Sequence, residues 1–79
     1  MFVKFECENF KRAILDNYRD KIDPAFGGQD ISPDMMEKFD LLDMNDYGIT
    51  SIEGIQYAKN LRHLYVANNE IKDLTPLKE

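Results

Sequence analysis

A chain of 79 residues with a formal charge of −5 and scattered basic residues (Lys11 with Arg12, Arg19, Lys21, Lys59, Arg62) has room for one small domain. Its lack of a basic stripe argues against nucleic acid or anionic membrane as a partner. Ordering the chain costs on the order of 100 kcal/mol in conformational entropy, so nearly all of the 43% of residues that are hydrophobic must help form a core. Apolar runs are only a few residues long, which excludes a transmembrane helix, and a single cysteine, Cys7, excludes an intramolecular disulfide and a Cys-based zinc site. Cys7 is expected to pack as a small buried hydrophobe.

Phe2 to Glu6 can begin a short extended segment. Asn9 is a good N-cap, and Phe10, Ala13, Ile14, Tyr18 and Ile22 then fall on one face at helical spacing. The spacing predicts a helix over 10–21, ended by Pro24 and the Gly27-Gly28 pair. Ser32-Pro33-Asp34 starts a second, short helix over 33–38. Here a hydroxyl caps, proline suits the first helical position and aspartate favours the positive end of the dipole.

A helix, a glycine-bearing loop, an isoleucine and a second helix have the order of an EF-hand. With Ile31 at loop position 8, positions 1, 3, 5, 6 and 12 fall on Pro24, Phe26, Gly28, Gln29 and Met35. Calcium requires carboxylates at 1, 3, 5 and 12 and glycine at 6, so a helix-loop-helix held by its apolar faces is expected instead, without metal.

The rest of the chain says the same thing twice. Phe39, Leu42, Met44, Tyr47, Ile49, Ile52 and Ile55 return 22 positions later as Leu61, Leu64, Val66, Asn69, Ile71, Leu74 and Leu77. Such a period belongs to a supersecondary unit that stacks on copies of itself. Alternation around Leu42-Met44 and Leu64-Val66 predicts two short strands. Asp46-Tyr47-Gly48 and Asn68-Asn69 turn the chain after them. Spacings of three after that suit 3₁₀ or irregular return legs, and Gly54 and Pro76 oppose a long helix there.

The pattern Leu61-x-x-Leu64-x-Val66-x-x-Asn69-x-Ile71-x-x-Leu74-x-x-Leu77 resembles the leucine-rich repeat, and its period is similar to that of bacterial internalins. Gly48-Ile-Thr-Ser-Ile-Glu-Gly-Ile-Gln-Tyr57 and Asn69-Glu-Ile-Lys-Asp-Leu-Thr-Pro-Leu77 resemble internalin repeats in wording too. The helices before them are similar to the EF-hand-like N-terminal cap of that family. The resemblance implies an α/β fold: a right-handed leucine-rich-repeat solenoid of short parallel strands with 3₁₀ or irregular return legs, preceded by a helical cap. Residues 1–38 are then the cap, and 39–79 two repeats (39–60 and an incomplete 61–79). It also implies that Asn69 bonds backbone groups at the turn after its strand. Tyr47 cannot do this in the same way, so the first turn is expected to be looser, or satisfied by Asn45 or Asp46.

Inward Leu42, Met44, Leu64 and Val66 put Leu41, Asp43, Asn45, His63, Tyr65 and Ala67 on the concave strand face, where Tyr65 and His63 beside Leu41 are the candidate contacts for a protein partner. Hydrolysis by a His63-Asp43 pair would need a nucleophile, and Thr50 and Ser51 lie on the wrong face. One histidine cannot fill a metal shell, and Gly27-Gly28 lacks the Lys-Ser/Thr of a phosphate loop. A non-enzyme without cofactor is expected. The readings are a protein-interaction module, a structural N-terminal cap of a longer internalin-like surface protein, or a small acidic regulator of a basic protein. Leu77-Lys-Glu79 stops where another strand would begin, so continuation, self-association or a partner over that end is expected. No secretory signal is visible in Met1 to Glu6; the chain reads as cytoplasmic as it stands, or as cell-surface or secreted if it is part of an exported protein.

Overall fold

The stripe Phe10, Ala13, Ile14 and Tyr18 is buried along α1 (Glu8–Lys21), in a computed structural model that describes residues 1–77. The helix starts earlier than Asn9, with Cys7 in the N-cap position and the Glu8 carboxylate in the first turn, where the dipole favours it. Asn9 lies inside that turn. Its amide donates instead to Gly48 O at 3.1 Å, so a distant carbonyl wins over local capping. Ser32 caps α2 (Pro33–Met36) as its sequence predicts, its Oγ accepting from Met35 N at 3.2 Å. This helix ends at Met36, sooner than expected, and the chain turns so that Phe39 can enter the core.

The segment before α1 is not a strand. It is pinned by Val3 N donating to Ile31 O at 2.7 Å and by Phe5 packed edge-on against Phe10.

After α2 come β1 (Leu41–Asp43), a 3₁₀ turn at Ile55–Tyr57, β2 (His63–Tyr65) and a second 3₁₀ turn at Thr75–Leu77. The strands pair in parallel with Leu41 opposite His63, Leu42 opposite Leu64 and Asp43 opposite Tyr65. The 22-residue step is therefore the ladder register itself. It recurs in the turns: Asp46 (φ 63°) and Asn68 (φ 60°) both take the left-handed conformation, which aspartate and asparagine tolerate better than most residues. Gly48 (φ 70°) and Gly54 (φ 114°) also take positive φ, and at Gly54 a Cβ would press within 3.0 Å of the Phe5 ring as well.

Leu42, Met44, Ile49 and Ile52 are fully buried with Phe10, Ile14, Ile31, Met36 and Phe39 in one core. Tyr18 meets Phe26 and Phe39 edge-to-face at 5.0 and 5.9 Å between ring centres. Burying a side chain of this size is worth about 1.5–3 kcal/mol, so the helices and the stretch from Phe39 to Ile55 carry most of the stability. The second unit is less covered. Leu61, Leu64, Val66 and Ile71 are half-buried, while Leu74 and Leu77 are 56% and 45% exposed.

Candidate functional site

Of the six residues expected on the outward sheet face, Leu41, Asp43, His63 and Tyr65 lie in the two strands, and Asn45 and Ala67 lie two residues past the strand ends. Leu41 lies opposite His63 and Asp43 opposite Tyr65, so His63 and Asp43 are diagonal. Asp43, His63 and Ala67 are exposed, Leu41 and Asn45 are half-buried, and Tyr65 is 49% exposed, which is high for so large an aromatic. Asn45 is not a free contact residue, since its Oδ1 accepts from Ala67 N at 2.6 Å and continues the ladder past the strands.

Asn69 stands at the turn after β2, but the turn it closes most fully is the one before. Its Oδ1 accepts from Tyr47 N at 3.0 Å and Ile49 N at 2.9 Å. Its Nδ2 donates to Met44 O and Val66 O at 2.8 and 2.9 Å, with a longer contact to Ala67 O. The first turn is thus neither looser nor held by Asn45 or Asp46; the expectation fails because the amide reaches back 22 residues to Tyr47 and 20 to Ile49. The same geometry explains Tyr47. An amide at that position would face α1 rather than an earlier turn, and Tyr47 OH instead donates to Asp16 Oδ2 at 2.8 Å. Burial, and then the bond to Asp16 and the Asp16 and Asp43 charges, raise the Tyr47 pKa above its usual value.

Asn17 was not singled out by the sequence reading. It is 3% exposed on the apolar face of α1, donating to Ala13 O at 2.8 Å and Asp43 O at 3.1 Å and accepting from Asp43 N at 3.0 Å. It bonds β1 as a neighbouring strand would, and so closes that edge of the sheet. The signal was present: an amide between Ala13 and Tyr18 on a buried stripe needs partners to match its donors and acceptor. An open cleft of about 230 Å³ beside it is lined by Asp16, Asn17, Asp20, Lys21, Asp43 and Tyr47.

In the loop that has the order of an EF-hand, the carbonyls face a side chain of the chain itself. Arg19 Nε and Nη2 donate to Phe26 O and Gly28 O at 2.9 and 3.0 Å, with the guanidinium 6.0 Å from the centre of the Phe26 ring.

Cys7 is 8% exposed, as its expected packing role requires, but it is not an ordinary thiol. Burial acts to raise its pKa. Hydrogen bonds from the Thr50 and Phe10 backbone, the Thr50 hydroxyl (3.7 Å) and the Ser51 backbone together outweigh burial and lower it from 9.0 to about 7. The folded state then favours the thiolate more than the unfolded state does. The resulting stability is complete above pH 9 and is lost as pH falls through about 7. Relative to Cys7→Ser, the protein should gain stability as pH rises between these values; a difference in urea midpoint that stays flat with pH would contradict the assignment.

No protein-family model matches the sequence. Solved structures do. The CBM51-2 and INT domains of Clostridium perfringens ZmpB align over 98% of this chain at 26% identity and a TM-score of 0.81. Internalin C2 of Listeria monocytogenes aligns over 95% at 28% identity and 0.78, and internalin InlF of the same organism over 92% at 26% identity and 0.73. The chain spans only 15%, 31% and 20% of those three chains in turn. It is a small α/β unit of internalin-like fold.

Proposed function

We propose that the chain is a non-catalytic protein-interaction unit of the leucine-rich-repeat type: a helical cap over residues 1–38 followed by two turns of a right-handed solenoid, meeting another protein through its concave strand face. The observation that carries this reading is Tyr65, a large aromatic left half-exposed at the end of β2 opposite Asp43, with His63 and Leu41 beside it. Aromatic residues of this kind dominate binding energy when a partner desolvates them. The internalin neighbours favour an interaction or capping module, and bacterial origin fits them. Chemistry at His63 finds no support nearby, since Ser51 is bonded to Glu6 and Thr50 to Cys7.

The test is a double variant, Tyr65→Ala with His63→Ala. It should fold with wild-type stability and bind a partner isolated on the full chain at least tenfold more weakly; unchanged affinity would remove the concave face from the reading.

A second reading, a structural starting unit for a longer solenoid, is favoured by the contrast between the two sheet edges. Asn17 closes the outer edge of β1, whereas the outer edge of β2 has no such cover among the described residues. A third, an acidic regulator of a basic protein, is supported only by the charge of −5; it predicts binding that weakens steeply with salt.

A further inference from the structure

One exposed residue from each of three neighbouring elements lines up across the sheet: Asp16 on α1, Asp43 on β1 and, opposite Asp43, Tyr65 on β2. Paired strands lie about 5 Å apart, so the Tyr65 ring and the Asp43 carboxylate are direct neighbours. Asn17 holds the Asp43 N–H and carbonyl at 3.0 and 3.1 Å, which fixes Asp43 beside the helix turn that carries Asp16. The Tyr47 hydroxyl fixes the Asp16 carboxylate, donating to Oδ2 at 2.8 Å. Both carboxylates raise the pKa of that one phenol, so their charges act at the same place, and both line the open cleft between α1 and β1. Other carboxylates are matched: Asp20 has Lys21 at 3.3 Å, Asp30 has Lys11 at 3.3 Å and Glu37 has Lys59 at 3.9 Å. Among the described residues neither Asp16 nor Asp43 has an ion-pair partner, and no group of three side chains could hold a metal ion.

We propose that the partner met by this face presents an arginine, whose guanidinium pairs with Asp43, flanked by Asp16 on one side and by the Tyr65 ring on the other. The inference rests on the concave-face reading and adds the partner's chemistry to it. A guanidinium is planar, offers a fork of donors to a carboxylate, stacks on an aromatic face and is less strongly hydrated than an ammonium. Lysine would bring a point charge without the fork or the flat face. An acidic or purely apolar segment would cover two carboxylates without a countercharge, which is costly. The charge is local, so it selects one side chain and differs from a general attraction of an acidic chain for a basic protein.

The probe is Nα-acetylarginine amide, titrated into the full chain at fixed ionic strength and compared with the lysine amide and with the citrulline amide, which keeps the shape without the charge. Amide chemical shifts are read along the whole chain. The arginine probe should give saturable shifts at Asp16, Asp43 and Tyr65; the lysine probe should bind about tenfold more weakly and the citrulline probe not at all. Asp43→Asn changes an exposed side chain and leaves the backbone bonds to Asn17 in place. It should weaken the arginine probe about tenfold with an undiminished urea midpoint. Equal binding of arginine and lysine, shifts spread evenly over exposed carboxylates, or full binding by Asp43→Asn would each overturn the proposal. Two variants separate it from the reading beneath it. A partner isolated on the full chain that binds Asp43→Asn as well as wild type, yet loses affinity for Tyr65→Ala with His63→Ala, would overturn the arginine and spare the concave face. Unchanged binding by both variants would overturn both.

Discussion

Replacing Asn69 with alanine is expected to destabilise the protein by about 3 kcal/mol, because one side chain is then missing from two turns at once. Two backbone donors, Tyr47 N and Ile49 N, lose their shared acceptor, and Met44 O and Val66 O lose a donor. Each hydrogen bond contributes roughly 0.5–1.5 kcal/mol net, and a buried group left without a partner costs roughly 1–3; at this half-buried site water replaces part of what is lost. A domain of this size has roughly 5–10 kcal/mol in all, so the variant should lose much of its margin. Urea denaturation measures the loss, and amide exchange at Tyr47 and Ile49 locates it. A loss below about 1 kcal/mol, or unchanged exchange at those two amides, would show that the amide does not bind the repeats together as described. Asn69→Asp separates the halves of the effect: it keeps the acceptor for Tyr47 N and Ile49 N and sets a carboxylate against Met44 O and Val66 O.

Asn17→Leu is the second large effect, also about 3 kcal/mol. The leucine adds apolar surface to the α1 stripe, which by itself favours burial. Against this, Asp43 N and Asp43 O lose the amide that stands in for a neighbouring strand, at a position where the group it replaces is 3% exposed. Unpaired strand groups at a helix-covered edge cannot turn to water without separating α1 from β1. Part of the population should therefore expose that edge and associate through it. Thermal denaturation with light scattering tests both parts. Wild-type stability would mean that burial of the leucine offsets the loss and that Asn17 does not seal the sheet.

These two asparagines also mark how far the sequence could be read. Asn69 was legible as a turn residue because the 22-residue comparison isolates it, and the departure at Tyr47 was visible in the same comparison. What the comparison could not supply was direction. A repeat read as text is symmetric along the chain, and only the fold places Asn69 Oδ1 on the preceding turn. Asn17 belongs to no repeat and lies in a stripe otherwise read by its apolar members, so its role depends on where β1 comes to rest. Alternation in a strand decides which side a residue takes, and Leu41, Asp43, His63 and Tyr65 accordingly flank buried Leu42 and half-buried Leu64. The bond from Ala67 N to Asn45 Oδ1 was not legible, because alternation assigns a side chain to a face of the sheet and not to a partner.

The sequence by itself determined the element types and their order: the helical stripe from Phe10 to Tyr18, the Ser32-Pro33 start of α2, the two strands and the 22-residue register that pairs Leu42 with Leu64. Those follow from side-chain period and local backbone preference, which a few neighbouring residues set. The tertiary structure alone decided which polar groups meet: Asn9 with Gly48, Asn17 with Asp43, Arg19 with the loop carbonyls, Tyr47 with Asp16. A hydrogen bond needs its atoms within about 3 Å, a distance that period and propensity leave open until the core has closed around Leu42 and Phe39.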